Sequence, residues 1–129
     1  MKAEELRIGN LLYHNEDWSC HNELREFEFA WSESDWYALG ECTLFLENVK
    51  PLKLTEYRLL KFGFKNSKYN PSYFELELDS EHCLAFSDNE LTIECEDSFY
   101  SANMKHIKHV HQLQNLYFAL TSQELVLKD

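Results

Sequence analysis

Apolar residues recur at three- and four-residue steps between Val110 and Thr121, at Val110, Leu113, Leu116, Tyr117 and Leu120. That spacing predicts an amphipathic helix with a single apolar stripe, and it leaves Gln112, Gln114 and Asn115 off the stripe. Upstream the period shortens to two. From Arg25 to Trp31, Phe27, Phe29 and Trp31 alternate with Glu26 and Glu28, the pattern of a half-buried antiparallel strand. Between Tyr73 and Glu96 three further strands are predicted: Phe74, Leu76 and Leu78, then Cys83 to Phe86, then Leu91, Ile93 and Cys95. Turns at Asp79–Glu81 and Asp88-Asn89 separate them, so the segment reads as an antiparallel meander. Its solvated face collects Glu75, Glu77, Glu94 and Glu96. The apolar face needs a cover to be stable, and the Val110–Thr121 helix is the expected one.

The remaining segments are shorter. Glu4 to His14 reads as a strand bent at Gly9-Asn10, followed by a polar loop over 15–22. Trp36 to Leu46 reads as a strand or strand pair bent near Gly40. Pro51 keeps Lys50 out of the helical region, so Val49 to Leu54 is extended. Thr55 then fits an N-cap, with Leu59, Leu60 and Phe62 on one side of a two-turn helix. Gly63 fits the left-handed position after it, and Phe64 the apolar contact that closes such an end. Residues 65–72 form a polar loop around Asn70-Pro71, and Glu124 to Lys128 is expected to add a last short strand. Together these elements predict one α+β domain over residues 1–129: a bent antiparallel sheet with a short middle helix and a C-terminal helix packed on it.

Charge changes the picture more than composition does. The 129 residues carry a formal net charge of −11, and 44% are hydrophobic, enough for a core. Residues 13–47 hold nine acids against Arg25 alone, and residues 73–97 hold nine acids with no Lys or Arg. Residues 48–72 are the reverse, with Lys50, Lys53, Arg58, Lys61, Lys65 and Lys68 against Glu56. Such a field repels nucleic acid and anionic lipid and attracts basic surfaces. No apolar run reaches the roughly 20 residues of a bilayer span, and the first residues lack the apolar stretch of a signal peptide. The expectation is a cytoplasmic protein with no membrane partner. Its four cysteines, Cys20, Cys42, Cys83 and Cys95, form no close pair and are expected to be reduced.

Three blocks carry a resemblance: Leu6-Arg-Ile-Gly-Asn10; Pro51-Leu-Lys-Leu-Thr-Glu56 with Leu59-Leu-Lys-Phe-Gly-Phe64; and the whole of Val110 to Thr121. In that order they resemble a group of small proteins from Bacteroidetes bacteria and their phages and mobile elements. Between the blocks this sequence goes its own way. Where the group has Gly after the terminal Leu-Thr, this chain has Ser122. The resemblance implies a phage or mobile-element context and brings no activity, cofactor or catalytic residue.

Motifs for chemistry are sparse. His106, His109 and His111 cluster, but His111 lies about 200° around a helix from His109, and no zinc motif supports them, so no metal is expected. The acid pairs Glu75/Glu77 and Glu94/Glu96 fit a solvated strand face better than the two-sided cleft a glycosidase needs. No nucleophile motif occurs, and three isolated glycines make no phosphate loop. Aromatic residues interleave the Lys50–Lys68 segment, yet Phe62 and Phe64 are accounted for as core and cap. Direct nucleic-acid binding is therefore not expected. The leading expectation is a non-enzymatic protein, without cofactor, that docks on a basic surface of a larger nucleic-acid-handling protein. An inhibitor of host defence of the anti-CRISPR type is its concrete form. The candidate anchors are Trp18, Trp36, Glu26, Glu28, Glu75, Glu77, Glu94 and Glu96. The alternatives are a small-molecule binder or minor hydrolase with a pocket between sheet and final helix, lined by His106, His109 and Tyr117, and self-association through a strand edge.

Overall fold

The meander and both helices form where hydrophobic periodicity and capping place them. A computed structural model describes residues 5–16, 25–31, 33, 49–68, 70–95 and 101–128. They fall into two compact units, Met1–Lys53 with His109–Asn115, and Leu54–Lys108 with Leu116–Asp129. The fold class is α+β, with antiparallel sheets, a middle helix and a C-terminal helix.

In the first unit, β1 (Leu11–Glu16) is the centre of a three-stranded antiparallel sheet, flanked by β2 (Arg25–Ala30) and β3 (Val49–Pro51). The expected strand over Leu6 and Ile8 is instead an irregular segment. Gly9 has φ +96°, Leu6 is buried and Ile8 is 52% exposed. β1 runs on through Glu16, into the stretch expected to be loop.

Segment 5–10 has few strand partners, and side chains from the helix α2 (Val110–Thr121) replace them. Gln114 Oε1 accepts the Leu11 N–H at 2.8 Å, and its Nε2 donates to the Gly9 carbonyl at 3.1 Å. Asn115 Nδ2 donates to the Glu5 carbonyl at 2.8 Å, while its Oδ1 accepts from Asn10 Nδ2 at 2.9 Å and from the Arg7 guanidinium at 3.2 Å. Asn10 Oδ1 in turn accepts the Arg7 N–H at 2.6 Å. Gln114 is thus only 3% exposed, although the apolar pattern puts it off the stripe. Around this network Leu6, Leu12, Trp31, Leu52, Val110 and Leu113 make the unit's core.

In the second unit, α1 (Glu56–Lys61) starts at Thr55, whose Oγ1 accepts the Arg58 N–H. It ends as predicted. Gly63 has φ +98°, its N–H donates to the Leu60 carbonyl, and the Phe64 N–H donates to that of Leu59. These two bonds satisfy carbonyls that a bare helix end leaves without partners.

The five-stranded sheet runs β4 (Lys65–Asn66), β5 (Phe74–Glu77), β6 (His82–Ser87), β7 (Glu90–Cys95), β8 (Ser101–Asn103), every neighbour antiparallel. The β6–β7 hairpin turns on Asp88 and Asn89, both at positive φ, so the turn's twist matches that of the strands. β4 lies within the expected polar loop, and β8 lacks the apolar alternation that marks the other strands. Residues 124–128 pair with no strand; Leu125 is buried and the Lys128 N–H donates to the Lys61 carbonyl. The apolar sheet face supplies Phe74, Leu84, Phe86 and Leu91 to a core completed by Leu54, Leu59, Phe62, Phe64 and Ile107. Of the predicted stripe on α2, Leu120 is 47% exposed.

Two substitutions test these readings. Gln114→Ala takes a partner from the half-buried Leu11 N–H and from the Gly9 carbonyl and should destabilise the protein by about 1–2 kcal/mol. Amide exchange should show the Leu11 N–H losing protection. Ser122 sits at φ +60° just past α2, a left-handed position that favours Gly. Ser122→Gly should therefore stabilise the chain by about 1 kcal/mol in thermal or urea unfolding.

Candidate docking face

Antiparallel register decides which side chains share a face of the five-stranded sheet. Glu75 pairs with Ala85, which pairs with Thr92; Glu77 pairs with Cys83, which pairs with Glu94. Directly opposed residues lie on one side of a sheet, and residues two apart on one strand share that side. Glu75, Glu77 and Glu94 therefore occupy one face. Glu90, opposite Ser87 and in phase with Glu94, joins them. Proximity to the Asp88-Asn89 turn hides Glu90 from a pattern reading, although the Leu91/Ile93/Cys95 alternation implies its side. Glu75 and Glu77 are about 7 Å apart along β5, and Glu77 and Glu94 about 10 Å apart across β6, from strand geometry.

Glu75, Glu77 and Glu90 are exposed and Glu94 is half-buried. Asn103 Nδ2 donates to Glu90 at 2.9 Å and the Tyr73 hydroxyl to Glu94 at 2.7 Å. Tyr73 reaches β7 across β6, where Ala85 leaves room for it. Burial, then the hydrogen bond to the Glu94 carboxylate, pushes the Tyr73 phenol far above its usual range, so it stays a donor at any physiological pH. Lys65 stands opposite Glu75 at the sheet edge, yet among the described residues no Lys or Arg forms an ion pair with any of the four carboxylates. They are spread over an open sheet face, an arrangement unlike the cleft that flanks a glycosidic bond.

The other predicted anchors are not brought to this face. Glu26 and Glu28 lie on β2, in register with Asn15 and Tyr13 of the three-stranded sheet, so they belong to a different sheet. Trp18, Trp36 and Glu96 lie outside the described residues, as does the predicted strand over 36–46. Cys83 and Cys95 are both free; Cys83 opposes Glu94 and Cys95 opposes His82, which puts the two thiols on opposite faces of the sheet.

The histidine cluster resolves into different roles. His109 precedes the helix, and Gln112 Oε1 accepts its N–H at 3.0 Å, a capping arrangement. Its ring stacks on His111 at 6.1 Å between centroids, and His106 is exposed in a turn. Among the described residues no three His, Cys, Asp or Glu side chains are placed to hold a metal ion. Neither His106 nor His109 lines the cavity beside the C-terminal helix; of the three residues expected there only Tyr117 does. The cavity lies over β6 and β7, whereas His109 sits in the other unit.

The fold and this face define an α+β protein with an acidic sheet surface whose four carboxylates form no ion pair with a described Lys or Arg. Among the described residues no helix is long and apolar enough to cross a membrane. Comparison with protein-family models, curated proteins and solved structures gives no match.

His111 offers a test of the first unit. It is 2% exposed, neither ring nitrogen finds a hydrogen-bond partner, and Glu5 Oε2, at 3.8 Å, is too far for one. Burial, then the charge of His109, lowers its pKa, and Glu5 opposes them only in part. The unfolded chain therefore takes up this proton at a higher pH than the folded one. Stability is full above the ordinary histidine pKa of about 6.5 and falls as pH drops below it. His111→Phe should flatten that slope between about pH 7 and 5 in urea unfolding, without loss of stability at pH 7.

Proposed function

We propose that this is a non-enzymatic interaction protein that docks its acidic sheet face on a basic surface of a larger protein. The observation that carries the reading is the grouping of Glu75, Glu77, Glu90 and Glu94 on one sheet face, unpaired with any described lysine or arginine. Four carboxylates against Lys65 at the sheet edge project a net negative potential beyond the surface. They steer encounter with a cationic partner and penalise approach of nucleic acid. A basic surface of the required extent is characteristic of proteins that hold nucleic acid. The resemblance of three sequence blocks to phage and mobile-element proteins directs this to a defence effector of the host cytoplasm. The action is then inhibition of the anti-CRISPR type, by occupying the ground where nucleic acid would bind.

Glu75 and Glu77 are the residues to reverse, because both are exposed and neither supplies a side-chain hydrogen bond to the sheet. Tagged protein and its Glu75→Lys/Glu77→Lys variant would be used for capture from host or phage-infected cells, read by quantitative mass spectrometry. The wild type should enrich a basic nucleic-acid-binding protein. The variant, with an unchanged melting temperature, should bind it at least about tenfold more weakly. Raising salt from about 0.1 to about 0.5 M should weaken the wild-type complex in the same direction. Equal capture by both folded proteins would remove this face from the interaction.

A further inference from the structure

The opposite face of the five-stranded sheet carries a cavity with different chemistry. It has a volume of about 460 Å³, within the range of small-molecule sites, and lies where the last turns of α2 meet β6 and β7. Leu78, Ile93 and Leu120 supply apolar wall, and Tyr117 adds an aromatic ring with a hydroxyl. Asp79 and His82 form its charged end, Thr121 and Gln123 add a hydroxyl and an amide, and among the described residues no lysine or arginine lines it.

Asp79 is held in place by its own turn. Its Oδ1 accepts the Glu81 N–H at 2.8 Å and the His82 N–H at 2.7 Å, and lies 3.0 Å from His82 Nδ1. The backbone bond from Glu81, then the His82 side chain, lowers the pKa of this carboxyl, so it is ionised at neutral pH. Oδ2 meets only the same imidazole nitrogen, at 3.1 Å, and keeps lone-pair directions open. In the tautomer that donates Nδ1–H to the carboxylate, Nε2 is an acceptor. The charged end thus offers two acceptors and a negative charge, a set that rejects anions.

We propose that this cavity binds a small organic cation, an amidinium, guanidinium or primary ammonium group on an apolar body. Asp79 Oδ2 receives the charged nitrogen and His82 Nε2 a second N–H, while the Tyr117 ring and the aliphatic wall take the body. The site lies on the face of the sheet opposite Glu75 and Glu77, so it is independent of the docking face.

Three probes of one shape and different charge test it: benzamidine, benzamide and benzoate, titrated into the full chain with ¹⁵N amide shifts and calorimetry as readouts. Benzamidine should shift the amides of residues 78–82 and 117–121. It should bind about fivefold more tightly than benzamide, the scale of one solvent-accessible charge pair, with benzoate weakest. Asp79→Asn keeps an oxygen for the two turn N–H groups and removes the charge. It should bring benzamidine down to the benzamide level and leave benzamide unchanged. Leu120→Arg, at an exposed helical position, puts a cation at the mouth and should abolish benzamidine binding. Glu75→Lys/Glu77→Lys should leave the titration unaltered. Benzoate binding as tightly as benzamidine, an Asp79→Asn protein indistinguishable from wild type, or shifts elsewhere in the chain would each overturn the assignment.

Discussion

The first unit depends on one exchange of partners: two amide side chains of a helix take over hydrogen bonds that an irregular backbone cannot make for itself. Gly9 at φ +96° breaks the strand that Leu6 and Ile8 would otherwise begin, and the break leaves peptide groups beside the buried Leu6 and Asn10 with few strand partners. An unmet buried peptide group costs about 1–3 kcal/mol, so segment 5–11 needs donors and acceptors at fixed positions. Gln114 and Asn115, on consecutive helical positions, provide them to Glu5, Gly9 and Leu11. Gln and Asn each carry a donor and an acceptor on one planar group, which suits them to imitate a peptide bond.

That exchange also links the first and last of the three sequence blocks. The block Leu6–Asn10 is the segment being held, and Val110–Thr121 contains the residues that hold it. The carbonyl of Leu52, in the second block, accepts the Val110 N–H at 2.7 Å. These blocks are framework, and they bring a fold without bringing chemistry. The acids of the candidate face stand on β5 and β7, outside those blocks.

What the sequence discloses follows the same physics. The meander was readable because each strand buries one side, and α1 because Thr55, Gly63 and Phe64 have local tasks that do not depend on tertiary partners. Periodicity leaves Gln114 off the stripe because it counts apolar residues, whereas the burial of Gln114 is set by a segment more than a hundred residues away. The Glu124–Lys128 strand failed for a related reason: apolar alternation does not supply an edge to pair with, and Leu125 alone packs inward. Of the docking face, Glu75, Glu77 and Glu94 came from alternation. Glu90 needed the register of a two-residue turn, and the assignment of Glu26 and Glu28 to another sheet needed the pairing itself.

A net charge of −11 constrains both proposed sites toward cationic partners, but distance separates them. Across the sheet face, carboxylates about 7–10 Å apart are comparable in spacing to the Debye length of about 8 Å at physiological salt. They act as a field, and no single one of them is a binding site. Asp79 is different, because its turn fixes one oxygen and leaves the other open beside an apolar wall. Recognition there relies on a contact of about 3 Å, within which little salt can intervene. The antiparallel sheet makes this division possible. Alternation sends Glu75 and Glu77 to one side and Leu76 and Leu78 to the other, so long-range attraction and short-range selection are placed back to back on the same strand.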